Sequence, residues 1–288
     1  MHWSDRRARY RAILEGDSCI HPGSVFDPVS ARIAEDLGFE VGMFAGSTAS
    51  LAVLGAPDLI VLTLTELAEQ ARRVCRAGRL AVMVDADHGY GNALNVKRTV
   101  EELETAGVAA LTIEDTELPR PFGASGKPRL LSLEEGVGKM NAALAGRQDP
   151  ALVIAGRTSA PAVSGIDDAV ARAKAYAAAG VDALFFVGVR TQDELSRLSE
   201  AVSLPLLLGS VGGELGDVTV LASLGVRVTL QGHQPIMAGY LAVHETLKAL
   251  REGTAPKDLA GVPSADFMQR VTRGADYERW TRDFLGGA

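Results

Sequence analysis

Short apolar runs recur along the chain, and each is followed by a stretch with helical spacing that closes on a turn residue or glycine. Residues 5–16 predict an amino-terminal helix and 19–26 a first strand, stopped at Asp27-Pro28. Helices are then expected over 28–37, 65–77, 96–106, 133–144, 166–179, 192–201 and 217–224. Between and after them the pattern predicts strands over 40–45, 80–84, 109–113, 151–155, 183–187, 204–208 and 226–230. Gly38, Gly78, Gly107, Gly180 and Gly225 stand where those helices should stop. Eight β-then-α units in about 230 residues fit a closed parallel barrel. No linker rich in Pro, Gly or Ser interrupts them, so the expectation is one (β/α)8 TIM-type barrel domain over 1–288, with a helical extension over 235–288. A doubly wound open sheet is the alternative. Neither a G-x-G-x-x-G turn after the first strand nor a G-x-x-x-x-G-K-[ST] loop is present, which leaves a nucleotide cofactor without support.

Bulk composition narrows this picture. With 288 residues, 47% of them hydrophobic, the chain can bury a large α/β core. A formal charge of −7 argues against nucleic acid as a partner. Arg6, Arg7, Arg9 and Arg11 form the one basic cluster, read here as a solvated helix face. There is no apolar run of membrane-spanning length and no uninterrupted apolar region of the kind a secretory signal needs, so a soluble, cytoplasmic protein without a membrane partner is expected. Cys19 and Cys75 lack metal-ligand spacing and read as reduced core thiols.

The chemistry concentrates around Leu80 to Gly91, LAVMVDADHGYG. Asp85 and Asp87 follow a continuous apolar strand, where the chain leaves the core and two acids can share one mouth. Such a pair suits a hard cation, although Asp at these positions could simply cap the turn. In a barrel, the strand ends would also gather Ser24, Asp27, Gly46, Ser47, Glu114, Arg157, Gly232 and His233, with Asp58 from the loop over 46–64. Three or four acids can hold magnesium directly or through water. Arg157 offers a fork for a carboxylate, and the Gly46-Ser47 turn offers backbone N–H groups. The collection would bind a small anionic 2-oxo acid, whose enolate a chelated cation would stabilise. Taken singly, Arg157 could pair with Glu114 as scaffold and His233 could be a satisfied histidine. The 117–131 loop, ELPRPFGASGKPRLL, exceeds the usual connection length and reads as a lid over the mouth, with a disordered insertion as the alternative.

These residues resemble the isocitrate lyase and phosphoenolpyruvate mutase superfamily. The likeness lies in SVFDPVSARIAEDLGFE, AGSTAS, APD, DADHGYGN, TIEDT and EEGVGKMNAAL, between about residues 20 and 245. The resemblance implies a magnesium-dependent barrel enzyme that makes or breaks bonds beside an α-oxycarboxylate, with manganese as a possible substitute. It implies Asp85 as the direct metal ligand, with Asp58, Asp87 and Glu114 acting largely through water. It also implies Gly46, Ser47 and Arg157 as substrate-carboxylate contacts. Lyases of the superfamily carry K-K-C-G-H in the lid and phosphonate enzymes an asparagine there; the loop here has no Cys, His or Asn. That points to the oxaloacetate decarboxylase branch, in which a histidine matching His233 contacts substrate and loss of CO2 itself delivers a metal-stabilised enolate of pyruvate.

Two positions depart from that branch. Arg157-Thr158-Ser159-Ala160 replaces R-T-N-A, and Ser210-Val211-Gly212-Gly213 replaces a turn that carries a tyrosine. Alternatives are a C–C lyase or hydrolase of another 2-oxo or 2-hydroxy dicarboxylate, a phosphonopyruvate-type enzyme, or a non-catalytic barrel that binds a keto acid. Beyond the eighth unit, 237–250 reads as an amphipathic helix, and Phe267, Met268, Val271, Tyr277, Trp280 and Phe284 form an apolar stripe. The resemblance implies a homotetramer, a dimer of dimers that exchange this carboxyl-terminal helix.

Overall fold

The computed structural model describes residues 2–124, 126–209 and 212–286. Among them, eight parallel strands hydrogen-bond in chain order: β1 (Gly23–Ser24), β2 (Val41–Phe44), β3 (Ala81–Asp85), β4 (Ala110–Glu114), β5 (Val153–Thr158), β6 (Ala183–Phe186), β7 (Leu206–Leu208) and β8 (Val226–Thr229). Ile20 closes the ring against β8. Its N–H donates to the Arg227 carbonyl at 2.9 Å and its own carbonyl accepts from the Thr229 N–H at 3.0 Å. The fold is a (β/α)8 TIM-type barrel with an amino-terminal helix and further helices at the carboxyl end.

Strand alternation sorts the core into two layers. Val41, Met43, Ala81, Met83, Ala110, Val153, Ala155, Phe185 and Val228 fill the barrel interior. The residues between them, such as Val82, Val84, Leu111, Ile113, Ile154 and Phe186, pack outward with Leu67, Val100, Leu103 and Met140 from the helices. By the same parity, Asp85, Glu114 and Arg157 fall on the interior side at the carboxyl ends of β3, β4 and β5. The helices end where glycine permits a left-handed cap, at Gly107 (φ 91°) and Gly180 (φ 100°).

Several expectations change. The first strand is two residues rather than eight, because Pro22 has no N–H to give a ladder and the His21 ring instead meets the Thr229 carbonyl at 2.9 Å. The supposed loop after β2 opens with helical turns over Gly46–Ala49 and Ser50–Leu54, stopped by Gly55 at φ 62°. Arg157 lies inside β5 rather than beyond it.

The arginine cluster is solvated only in part, at exposed Arg9 and partly at Arg11. Arg6 and Arg7 are buried, and the Trp3–Glu15 helix uses its arginines to tie the chain segments that lead into the strands. Arg6 donates to the carbonyls of Cys75 and Gly78. Arg7 donates to Val108 O (3.0 Å), Glu104 O (2.7 Å) and Asp149 Oδ2 (2.7 Å). Arg11 reaches Ala151 O at 3.0 Å and Asp182 Oδ1 at 2.9 Å. Tyr10, fully buried, donates to Met83 Sδ at 3.1 Å inside the barrel.

By internal packing the chain divides into two units, residues 1–232 and 233–288. In the second, the helix Gln234–Arg251 precedes Ala265–Thr272 and Gly274–Leu285, so the apolar stripe of the tail is broken at Arg273, whose φ is 62°. Met237, Leu241, Val243, Leu247, Tyr277 and Phe284 are exposed there. Among the described residues, no helix is long and apolar enough to cross a membrane. Cys19 and Cys75 are both buried and unpaired with each other.

Candidate active site

Asp85 is the last residue of β3, and its carboxylate is the most heavily bonded of the group. Arg157 Nη1 donates to both its oxygens, at 2.7 Å and 2.6 Å, while Thr112 Oγ1 and the Asp87 N–H donate to Oδ1 at 3.0 Å and 3.2 Å. Glu114 stands opposite Arg157 in the β4–β5 register, forms an ion pair with its Nη2 at 3.3 Å and accepts from Thr116 Oγ1 at 3.1 Å. The Arg157 guanidinium also lies 5.6 Å from the Phe185 ring centre. Its Nε has no hydrogen-bond partner among the described residues.

Asp87 is buried in the turn that follows, at φ 48°, and its carbonyl accepts the Glu114 N–H at 2.8 Å. Gly46 backs directly onto it: a Cβ there would lie 2.4 Å from Asp87 Oδ2, so only glycine lets the chain after β2 approach this carboxylate. Ser47, next in that helical turn, is half-buried. Asp58 contributes its charge, acting on Asp87. The structure therefore brings together Asp85, Asp87, Glu114, Arg157 and Gly46, with Asp58 near enough to be felt. His233 belongs to the second unit, as the residue that precedes the Gln234–Arg251 helix. Ser159 precedes the short Ala160–Val163 helix, and Ser210 and Val211 lie outside the described residues.

The electrostatics are unbalanced. Burial pushes the Asp87 carboxyl well above the usual range, and Asp85 and Glu114 add to the rise against Arg157. Burial likewise raises Glu114, opposed by Arg157 and reinforced by Asp85. For Arg157, burial opposes the charge, but Asp85, Glu114 and Asp87 together outweigh it and raise its pKa. This donor set fits a divalent cation: carboxylates crowded beyond what one guanidinium offsets are relieved by added positive charge. Among the described residues no group of three or more acidic, His or Cys side chains forms a ready cage. Magnesium does not require one, since it retains water and takes one or two carboxylates directly.

Other residues of the site were not singled out from the sequence. The Tyr90 hydroxyl is buried beside Asp87, and burial, then the charges of Asp87 and Asp85, raise its pKa. Lys139, buried behind the turn, donates to the His88 carbonyl at 2.8 Å. His88 is pushed down to about 4, first by burial and then by the Lys139 charge. The sequence does carry a signal for Tyr90, since it lies between two glycines, Gly89 and Gly91, that also have positive φ. Lys139 gave none, being a charged residue on a helix face that only packing buries.

The 117–131 loop leaves from this rim. Its base is a stub of antiparallel pairing: Thr116 bridges Leu130, the Glu117 N–H donates to the Arg129 carbonyl at 2.8 Å, and Glu117 pairs with Arg129 at 2.6 Å. Phe122 at its far end is fully exposed.

Comparison with known proteins places this geometry. Residues 11–251 match the family model described as phosphoenolpyruvate phosphomutase. A curated protein of Bradyrhizobium sp. (strain BTAi1 / ATCC BAA-1182) named oxaloacetate decarboxylase is 59% identical over 285 residues, covering 99% of both chains. A solved structure of oxaloacetate acetylhydrolase with the inhibitor 3,3-difluorooxalacetate superposes with a TM-score of 0.85 at 26% identity, covering 99% of this chain and 98% of that one. Phosphonopyruvate hydrolase complexed with oxalate and Mg++ gives 0.84 at 27%, covering 99% and 100%. Since the matched segment runs through every strand from β1 to β8 and carries the whole acid–guanidinium cluster, the chain belongs to the phosphoenolpyruvate phosphomutase family.

Proposed function

We propose that this protein is a cytoplasmic, magnesium-dependent oxaloacetate decarboxylase that releases pyruvate and CO2. The observation that carries the reading is the interior rung at the ends of β3, β4 and β5, where Asp85 and Glu114 share Arg157 and Asp87 adds an acid of raised pKa. The full-length curated relatives named oxaloacetate decarboxylase support it.

Asp85 would hold the cation directly, with Asp58, Asp87 and Glu114 acting through water. When bound, magnesium supplies a Lewis acid for the carboxylate and carbonyl oxygens of a 2-oxo acid. Arg157 and Thr112 fix the orientation of the Asp85 carboxylate through the hydrogen bonds above. Arg157, with the amides of Gly46 and Ser47, would take a substrate carboxylate, and His233 would be the further substrate contact. In the reaction the bond from C3 to the departing carboxylate breaks and its electron pair moves onto the 2-oxo group. The carbon is then protonated from solvent. No acid or base is needed in the 117–131 loop, which has no Cys or His. Its proposed role as a lid is to exclude water.

The test is pyruvate formation from oxaloacetate with magnesium, corrected for the metal-catalysed background. Turnover that a chelator or Asp85→Ala removes supports the reading; wild-type rates at background overturn it. The likeness to oxaloacetate acetylhydrolase favours one second reading, hydrolysis to acetate and oxalate, which the same reaction mixture distinguishes by product. We also propose a homotetramer of helix-exchanged dimers, on the exposed apolar residues of the second unit. Sedimentation as a monomer overturns that assembly.

A further inference from the structure

We infer that Asp115, gripped from the helix layer by Arg172 and Tyr176, is a positioning residue for the Glu114–Arg157 rung and for the returning end of the 117–131 loop. The inference rests on the reading of that rung as the active site.

Alternation turns Asp115 away from the barrel interior just as it turns Glu114 inward. The Asp115 side chain is fully buried, and one of its oxygens, Oδ2, takes both Arg172 Nη1 at 2.9 Å and the Tyr176 hydroxyl at 2.6 Å. Oδ1 has no partner. Arg172 is itself aimed from a second side, because its Nε donates to Asp168 Oδ2 at 2.9 Å. Tyr176 sits in a slot made by two glycines. A Cβ on Gly136 would come within 2.3 Å of its hydroxyl, and one on Gly156 within 3.2 Å of its ring. Gly156 immediately precedes Arg157, so the tyrosine braces the strand that carries the guanidinium as well as the acid beside Glu114.

The backbone of Asp115 completes the link. Its N–H donates to the Arg157 carbonyl at 3.3 Å and its carbonyl accepts the Leu131 N–H at 2.8 Å. One residue thus joins the last rung between β4 and β5 to the point where the loop re-enters the fold. A buried carboxylate with one oxygen left unmet is costly packing. A small displacement at a reacting centre reduces rate by up to about 10²-fold, which gives such a clamp a use beyond stability.

The experiment compares full-length Asp115→Asn and Tyr176→Phe with wild type. The control is Arg147→Met, which breaks the pair with Asp182 (2.6 Å) on the approach to β6. Two quantities are read at a temperature where all are folded: kcat and KM for oxaloacetate with magnesium, and tryptic cleavage after Arg129, the loop's basic residue not followed by proline. Asp115→Asn is expected to lower kcat about 30- to 100-fold and Tyr176→Phe about three- to tenfold, with KM moving less, and both to speed cleavage after Arg129 about tenfold. Arg147→Met should lower the unfolding midpoint and leave both readings in place. The inference is overturned if Tyr176→Phe matches wild type in both, or if Arg147→Met loses as much kcat as Asp115→Asn. Should Asp115→Asn fail to fold, Tyr176→Phe decides. If the wild type does not turn over oxaloacetate, the functional reading falls, and cleavage after Arg129 still decides whether the clamp positions the loop.

Discussion

The two ends of the barrel handle buried charge in opposite ways. Before the strands, arginines outmatch acids and are met by carbonyls: Arg7 finds Val108 O, Glu104 O and Asp149, and Asp182 is shared by Arg11 and Arg147. After the strands, Asp85, Asp87 and Glu114 crowd one guanidinium, while Arg157 Nε has no hydrogen-bond partner among the described residues. Burial works against ionised Asp149, but Arg7, with the Ala151 N–H and Arg11, outweighs it and holds that carboxyl below its ordinary value. Asp87 and Glu114 go the other way. One end is settled for stability. The other is held in a state that an added cation would relieve, as expected of the catalytic face of such a barrel.

The sharpest test of this contrast is Asp85→Ala, expected to lower magnesium-dependent pyruvate formation about 10³-fold or more in a protein that still unfolds cooperatively. Next, Arg7→Met leaves Asp149 and Glu104 without their cation and should lose about 3–5 kcal/mol in denaturant unfolding, with kcat unchanged below the transition. An equal loss of kcat would mean that the ends are not separable. Asp87→Asn should act in the opposite sense, raising the unfolding midpoint of metal-free protein at pH 7 by roughly 2–4 °C, the equivalent of about 1 kcal/mol for a domain of this size.

The smallest effect is the pH slope. Because the folded pKa values of Asp87 and Glu114 are raised, their contribution is full in acid and is lost as pH rises through those values. Asp149, with a lowered value, keeps its contribution above the ordinary carboxylate range and loses it only as pH falls below it. The two sets oppose each other between acid and neutral pH, so the prediction is a difference: Asp87→Asn should gain stability relative to metal-free wild type as pH rises from acid toward neutral. A series of denaturant melts across pH that shows identical slopes would remove the electrostatic half of the comparison.

Much of the barrel was legible because its signals are local. Apolar runs bounded by glycine stops mark strands and helices, and the acids at 85, 87 and 114 stand where those runs end. The amino-terminal helix was legible as a helix, but the burial of Arg6 and Arg7 on it was not. Beside Tyr10 and Leu14, its buried side includes arginines whose carbonyl partners lie tens of residues or more away. No spacing rule reports a distant acceptor. The Asp115 clamp, the burial of Lys139 and the pressure of Gly46 on Asp87 share that character.

What the sequence determined by itself was the alternation of elements and the gathering of the acids at the ends of the strands. Only the tertiary structure decided that Arg157 would be divided between Asp85 and Glu114, and that Asp115 would turn back to Arg172 and Tyr176. The physical reason is that backbone propensity and side-chain period act over a few residues, whereas the partner of a buried charge is chosen by whichever group the closed ring brings within about 3 Å.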